Sequence, residues 1–202
     1  MNKETYTAYC DILRSELIPA MGCTEPIALA LTAAIARKHL EGDVTDVHIS
    51  TSGNIIKNAK SVTVPHTNGL KGIDAACAAG IVAGDPDAGL EVLSHITPHQ
   101  QKDILDFLHT VPVTVSKATS EYLLDIEVTL QSVQHTVYAR TAQYHTGLCM
   151  IKVDGEIIFE QPVSPTTSSL DHSVLNMKEI IEFADTCNIE DVKDLLDTQI
   201  NY

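Results

Sequence analysis

Val111-Pro112-Val113-Thr114-Val115-Ser116-Lys117 begins a stretch in which apolar and polar side chains alternate, and Tyr122 to Val133, Thr136 to Gln143, Leu148 to Val153 and Glu156 to Gln161 continue it. A period of two is the pattern of strands with one buried face. Asp154-Gly155 stands between the last two segments and has the chemistry of a tight hairpin turn. Neighbouring strands with short connections predict an antiparallel meander.

Away from this stretch the period lengthens to that of helices. Upstream, Thr97-Pro98 is a cap followed by a first-position proline, and Ile104, Leu105 and Leu108 give the apolar face of the helix it starts. Gly72 introduces a helix of small residues over Ile73 to Ala83, while Leu90-Glu91-Val92-Leu93 fits a helix or a short strand. Val47, Ile49 and Thr51 form a half-buried strand broken by Ser52-Gly53-Asn54, and Val62-Thr63-Val64 reads as a second short strand. Tyr6, Cys10, Leu13 and Leu17 mark a first amphipathic helix ended by Pro19. Downstream, 162–173 is rich in Pro, Ser and Thr and predicts a surface connection, followed by helices over Val174 to Cys187 and Glu190 to Gln199. The expectation is one α+β domain over 1–202, a mixed or largely antiparallel sheet covered by helices, with helices at both chain ends.

The composition narrows the partners. The chain has 202 residues, 44% hydrophobic and 20% charged, which is globular. A net charge of -14 without a long basic run argues against nucleic acid as a partner. The longest apolar run, Ile27 to Ala36, is shorter than the roughly 20 residues a membrane span needs. Five cysteines without a C-x-x-C pair make neither a disulfide framework nor a local zinc site, and with no signal peptide visible they point to the cytoplasm. The nine histidines fall in no metal-binding motif, and no phosphate-binding glycine loop or nucleophile elbow occurs.

The stretch that carries chemistry is Met21-Gly22-Cys23-Thr24-Glu25-Pro26, which opens onto that apolar run. Pro26 suits the first position of a helix from Pro26 to about Leu40, which puts Cys23, Thr24 and Glu25 at or just before its N-terminus. Unpaired N-H groups and the positive end of the dipole favour an anion there: a substrate carboxylate, or a thiolate acting as ligand or nucleophile. The alternative for Cys23 is a small buried thiol beside a cap. Other polar loops are Ser52-Gly53-Asn54 with Lys57 and Asn58, His66-Thr67-Asn68-Gly69, and His145-Thr146-Gly147. Their cationic, amide and hydroxyl groups are the equipment for a small amino or hydroxy acid, and singly they are also ordinary turn chemistry.

In order and wording these loops resemble the iron-sulfur L-cysteine desulfidases, relatives of the alpha subunit of bacterial iron-sulfur L-serine dehydratase. The matching text is Gly22-Cys23-Thr24-Glu25-Pro26-Ile27-Ala28, Asn54-Ile55-Ile56-Lys57-Asn58, Val62-Thr63-Val64-Pro65, Asp87-Ala88-Gly89-Leu90-Glu91-Val92-Leu93 and His145-Thr146, spread over about two thirds of the chain. The resemblance implies the N-terminal half of a lyase that turns L-cysteine, or L-serine, into pyruvate, ammonia and sulfide, or water. It implies Cys23 as one ligand of a four-iron, four-sulfur cluster. Lys57 and Glu25 become the catalytic candidates, with Lys57 as carboxylate partner or general base. Thr24, Asn54, Asn58, His66, Thr67, Asn68, His145 and Thr146 become the substrate contacts. Gly53 stands where the family has proline, Pro65-His66-Thr67-Asn68-Gly69 where it has a P-G-T-G-like loop, and Gly147 where it has asparagine. Family members run to roughly twice this length and keep their other cluster cysteines in the second half, so the chain alone is expected to hold no stable cluster and to be inactive. Expected partners are a small amino acid and the missing C-terminal domain or a partner chain, with homo-oligomerisation open. The alternative reading is a non-catalytic domain that binds a small amino acid or pairs subunits.

Overall fold

Nearly every side chain from Ile27 to Ala36 is apolar, so no face of a helix built from this run can stand in water. In the computed structural model of the chain, which describes residues 1–17, 19–20, 22–163 and 172–201, this run forms the centre of the core. In chain order the helices and strands are α1 (Lys3–Glu16), α2 (Thr24–Lys38), β1 (Asp46–Thr51), α3 (Gly53–Ala59), α4 (Ile73–Ala83), α5 (Pro98–Thr110), β2 (Val113–Lys117), β3 (Asp125–Gln131), β4 (Thr136–Ala142), β5 (Leu148–Val153), β6 (Glu156–Glu160), α6 (Met177–Thr186) and α7 (Lys193–Asn201). Leu90 lies in a short 3-10 turn, Gly89–Glu91.

Contacts gather the chain into two compact units, Met1–Pro19 with Ser164–Tyr202 and Ala20–Val163, within the span that the sequence reading takes as one domain. In the larger unit the strands run in the order β2-β1-β3-β4-β5-β6. Strands β3 to β6 form the expected antiparallel meander. The segment before them departs from it: β2 lies at the edge and pairs in parallel with β1, which in turn pairs antiparallel with β3. Parallel neighbours need a long crossover, and 52–112, holding α3, α4 and α5, supplies it. The class is α+β with a mixed, mostly antiparallel sheet, as expected.

Ile126, Val128 and Leu130 of β3 and Val137 and Ala139 of β4 are fully buried, and α2 packs over these two strands. Each such side chain contributes up to about 1.5–3 kcal/mol of burial. Thr32 Oγ1 donates to the Ala28 carbonyl at 2.8 Å and lies 2.8 Å from Thr141 Oγ1, so the polar group in the run is satisfied within the core. Helix α4 lies against α2 at backbone contact distance. A Cβ added at Gly80 would sit 2.1 Å from the Ala30 carbonyl oxygen. Cys77 is part of this packing, and full burial pushes its thiol pKa far up.

Three local expectations need correction. Pro26 is the third residue of α2, because the helix begins at Thr24 and Cys23 takes the cap position. Val62-Thr63-Val64 forms no strand: Thr63 makes a single bridge to Lys71, since Pro65 and the left-handed residues His66 and Asn68 turn the chain away. The residues after β1 are helical, because the Ser52 hydroxyl accepts the Ile55 N-H and starts α3. Of the expected 162–173 connection, 164–171 lie outside the described residues.

The smaller unit has a modest core of Tyr9, Cys10 and Phe183, with the rings of Tyr6 and Tyr9 tilted against Phe183 at 5.2 and 5.3 Å. Asn2 and Asn176 cap α1 and α6 through their side-chain oxygens. Among the described residues no helix is long and apolar enough to cross a membrane.

Replacing Gly80 with alanine forces α4 away from α2 and is expected to cost about 3 kcal/mol or more, read as a lower urea midpoint at unchanged slope. A second expectation concerns His135, whose Nδ1 lies 2.8 Å from Asp154 Oδ2. That bond raises the imidazole above its ordinary 6.5. Protonated His135 then favours the folded state fully below the unfolded value, and the contribution fades as pH climbs through the raised folded value. In stability measured from pH 6 to pH 9, His135→Gln should remove a component that falls with rising pH, so wild type minus variant should decline across this range.

Candidate functional site

The first turn of α2 is an uncapped helix start. Cys23 makes no side-chain capping bond, and Pro26 at the third position has no N-H for a cap to bond. The Thr24 and Glu25 N-H groups, which follow Cys23 in the chain, have no intrahelical acceptor and lie at the positive end of the dipole. Cys23 is exposed, whereas Cys10, Cys77 and Cys149 are buried, and all five cysteines are free. The packing alternative for Cys23 does not hold here.

Glu25 ties this turn to two other elements. Its Oε1 accepts a hydrogen bond from Asn58 Nδ2 at 3.0 Å, and Thr24 Oγ1 lies 3.5 Å from its Oε2. Asn58 belongs to α3, which carries Asn54, Lys57 and Asn58 exposed on its surface. The third element is the turn between β4 and β5, which holds the half-buried His145. Burial lowers the His145 pKa below its ordinary 6.5, and the Glu25 carboxylate works against that shift. A neutral imidazole at pH 7 is able to accept a proton. Gly147 makes this turn possible: a Cβ there would lie 2.4 Å from the Ala142 carbonyl oxygen, and Gln143 takes a φ of 67°.

Other expected residues are placed less centrally. The 65–69 loop comes beside the site through Pro65, whose Cγ lies 3.6 Å from where a Cβ on Gly22 would be. Its Thr67 is buried, with the hydroxyl donating to the Val64 carbonyl at 2.8 Å, so that hydroxyl is engaged within its own turn. His66 and Asn68 are exposed with φ of 58° and 56°, and the His66 carbonyl accepts from Gln101 Nε2 at 2.8 Å. Thr146 is exposed, and its carbonyl accepts the Leu148 N-H.

Two features lie beyond the sequence reading. Lys117, at the end of β2, brings its Cε to 3.4 Å from a Cβ built on Gly53, so a cation besides Lys57 stands at α3. Beneath α3, the Asp125 carbonyl accepts from Thr51 Oγ1 at 2.7 Å and from the Ser52 N-H at 2.9 Å. The fully buried Asp125 carboxylate takes two bonds from Arg140, at 2.9 and 2.7 Å. Such a bidentate pair holds direction well, so it fixes the strand ends on which α3 stands. No spacing in the sequence announces it, since the partners meet only through the pairing of β3 with β4.

Alkylation of the folded, metal-free chain followed by peptide mapping should label Cys23 ahead of Cys10 and Cys77. If Cys23 reacts only on unfolding, it is no surface ligand.

No family model matches the chain, and no solved structure matches it. Among curated proteins it is 47% identical over 199 residues to a UPF0597 protein of Desulfitobacterium hafniense, an alignment covering 98% of this chain and 46% of that protein. It is 39% identical over 205 residues to a UPF0597 protein of Treponema denticola, covering 100% and 48%. With one of Finegoldia magna it shares 40% over 194 residues, covering 95% and 46%. The chain spans about half the length of these curated relatives, and along nearly all of its own length it is similar to proteins named UPF0597, a name that states no activity.

Proposed function

We propose that this chain supplies the Cys23-bearing part of an iron-sulfur-dependent lyase that acts on L-cysteine or L-serine in a reducing, cytoplasmic setting. The reaction takes cysteine and water to pyruvate, ammonia and sulfide, or eliminates water from serine. The observation that carries the reading is the bond from Asn58 to the Glu25 carboxylate at the uncapped α2 start, a carboxylate whose field also reaches the half-buried His145. An amino acid needs an anion site, acceptors for its ammonium group, and a base for its Cα proton. The Thr24 and Glu25 N-H groups and Lys57 suit the carboxylate, Glu25 suits the ammonium group, and Lys57 or His145 suits the proton.

The residues of this chain do not by themselves fit a four-iron, four-sulfur cluster. Such clusters are held by several thiolates, and among the described residues no three His, Cys, Asp or Glu gather as metal ligands. Cys23 would serve as one ligand, with the others outside this sequence. A single exposed thiol amid amide and cationic donors also favours a second reading, in which the domain binds a small amino acid without turning it over.

The test uses the full-length Desulfitobacterium hafniense relative, reconstituted anaerobically with iron and sulfide. It should form pyruvate from L-cysteine or L-serine, and serine at the position of Cys23 should lower the rate by more than the roughly 10- to 100-fold typical of losing an outer-shell metal partner. Full cluster loading without pyruvate from either amino acid overturns the lyase reading. Thermal stabilisation of this chain by L-cysteine without iron would then select the binding module.

A further inference from the structure

Helix α6 is amphipathic, yet of its residues only Phe183 is buried. Met177, Ile180 and Ile181 recur at three- and four-residue spacing and are 72%, 40% and 56% exposed. Ile189 on the following turn and Leu196 and Ile200 on α7 are exposed as well, at 65%, 43% and 79%. Residues so spaced share one helix face, and an apolar surface of this kind marks an interaction site. Among the described residues, the unit that carries it buries Tyr9, Cys10, Ile12 and Phe183.

Its charge decides among the candidate occupants. The segment 177–201 that carries the apolar side chains holds seven Asp and Glu against Lys178 and Lys193. An anionic lipid surface would meet like charge. A second copy would set one acidic segment against another, which is costly. The relatives offer another occupant: this chain matches only 46–48% of their length, so in them a comparable length of polypeptide accompanies its counterpart.

We propose that the α6–α7 stripe is the docking surface for the part of the longer UPF0597-type polypeptide outside the span this chain matches, and that this part presents apolar side chains rimmed by lysine and arginine. In that polypeptide the two parts are tied together, so docking is an intramolecular step at high effective concentration. The inference rests on exposure, charge and length, and holds whether or not the lyase reading does.

Hydrogen exchange read by mass spectrometry compares this chain with the full-length Desulfitobacterium hafniense relative. The segment aligned with 174–201 should exchange at least tenfold more slowly in the relative, and amine cross-linking there should join it to the part outside the aligned span. Equal exchange in the two proteins, or cross-links confined to the aligned span, overturns the proposal. Light scattering of this chain should give a monomer. A dimer abolished by Ile181→Lys makes a second copy the occupant, and binding to phosphatidylglycerol vesicles abolished by the same substitution makes it a membrane. Either result overturns the proposal.

Discussion

The contact between α2 and α4 at Ala30 and Gly80 is the constraint on which the larger unit depends. Two helices approach with backbone against backbone only where one side chain is missing, and a Cβ at Gly80 would fall inside the Ala30 carbonyl. This closeness lets α4 cover the side of α2 turned from the sheet, leaving an apolar helix with no wet face. Sandwiched in this way, α2 has little freedom to rotate or slide. The Thr32 and Thr141 hydroxyls then set its register on β4. Glu25 lies seven residues before Thr32, about 10 Å along the axis, and His145 lies in the turn just past the end of β4. The packing of the core thus brings the helix start to that turn.

At that end of the sheet Glu25 serves three neighbours at once. It accepts from Asn58, lies within reach of the Thr24 hydroxyl, and acts on His145 through space. The two histidines that flank β4 show how placement sets chemistry. His135 precedes the strand and bonds Asp154 in the open, which raises its pKa. His145 follows the strand and is half-buried, and desolvation outweighs the nearby carboxylate, so its pKa falls. The same side chain is thereby biased towards the cation at one end and towards the neutral base at the other.

The smaller unit follows a different logic. Its helices are capped well by Asn2 and Asn176 and joined by aromatic contacts, yet they turn few large side chains inward. Local chemistry is enough to form such helices, but burial supplies most of the free energy that holds helices together in a protein. The apolar side chains left exposed on α6 and α7 are the consequence.

Much of this was legible in the residues because its causes are local. The period-two stretch determined β3 to β6, the Asp154-Gly155 turn joined the last pair, Thr97-Pro98 started α5, and the apolar run from Ile27 declared a buried helix. That Cys23 stands at the start of that helix was likewise written in Cys23 to Pro26, although the helix begins two residues earlier than Pro26 suggests. Tertiary structure alone decided the rest. The pairing of β2 with β1 depends on a crossover whose direction no local pattern encodes, and the grip of Arg140 on Asp125 depends on the register of two strands. Helix α3 was hidden because Ser52-Gly53-Asn54 reads equally as a turn, and the Ser52 cap together with the buried Ile55 and Ala59 made it a helix. That Thr67 is engaged in its own turn while Asn58 bonds Glu25 is likewise a result of packing: a sequence lists donors and acceptors, and only the folded chain decides which of them find each other.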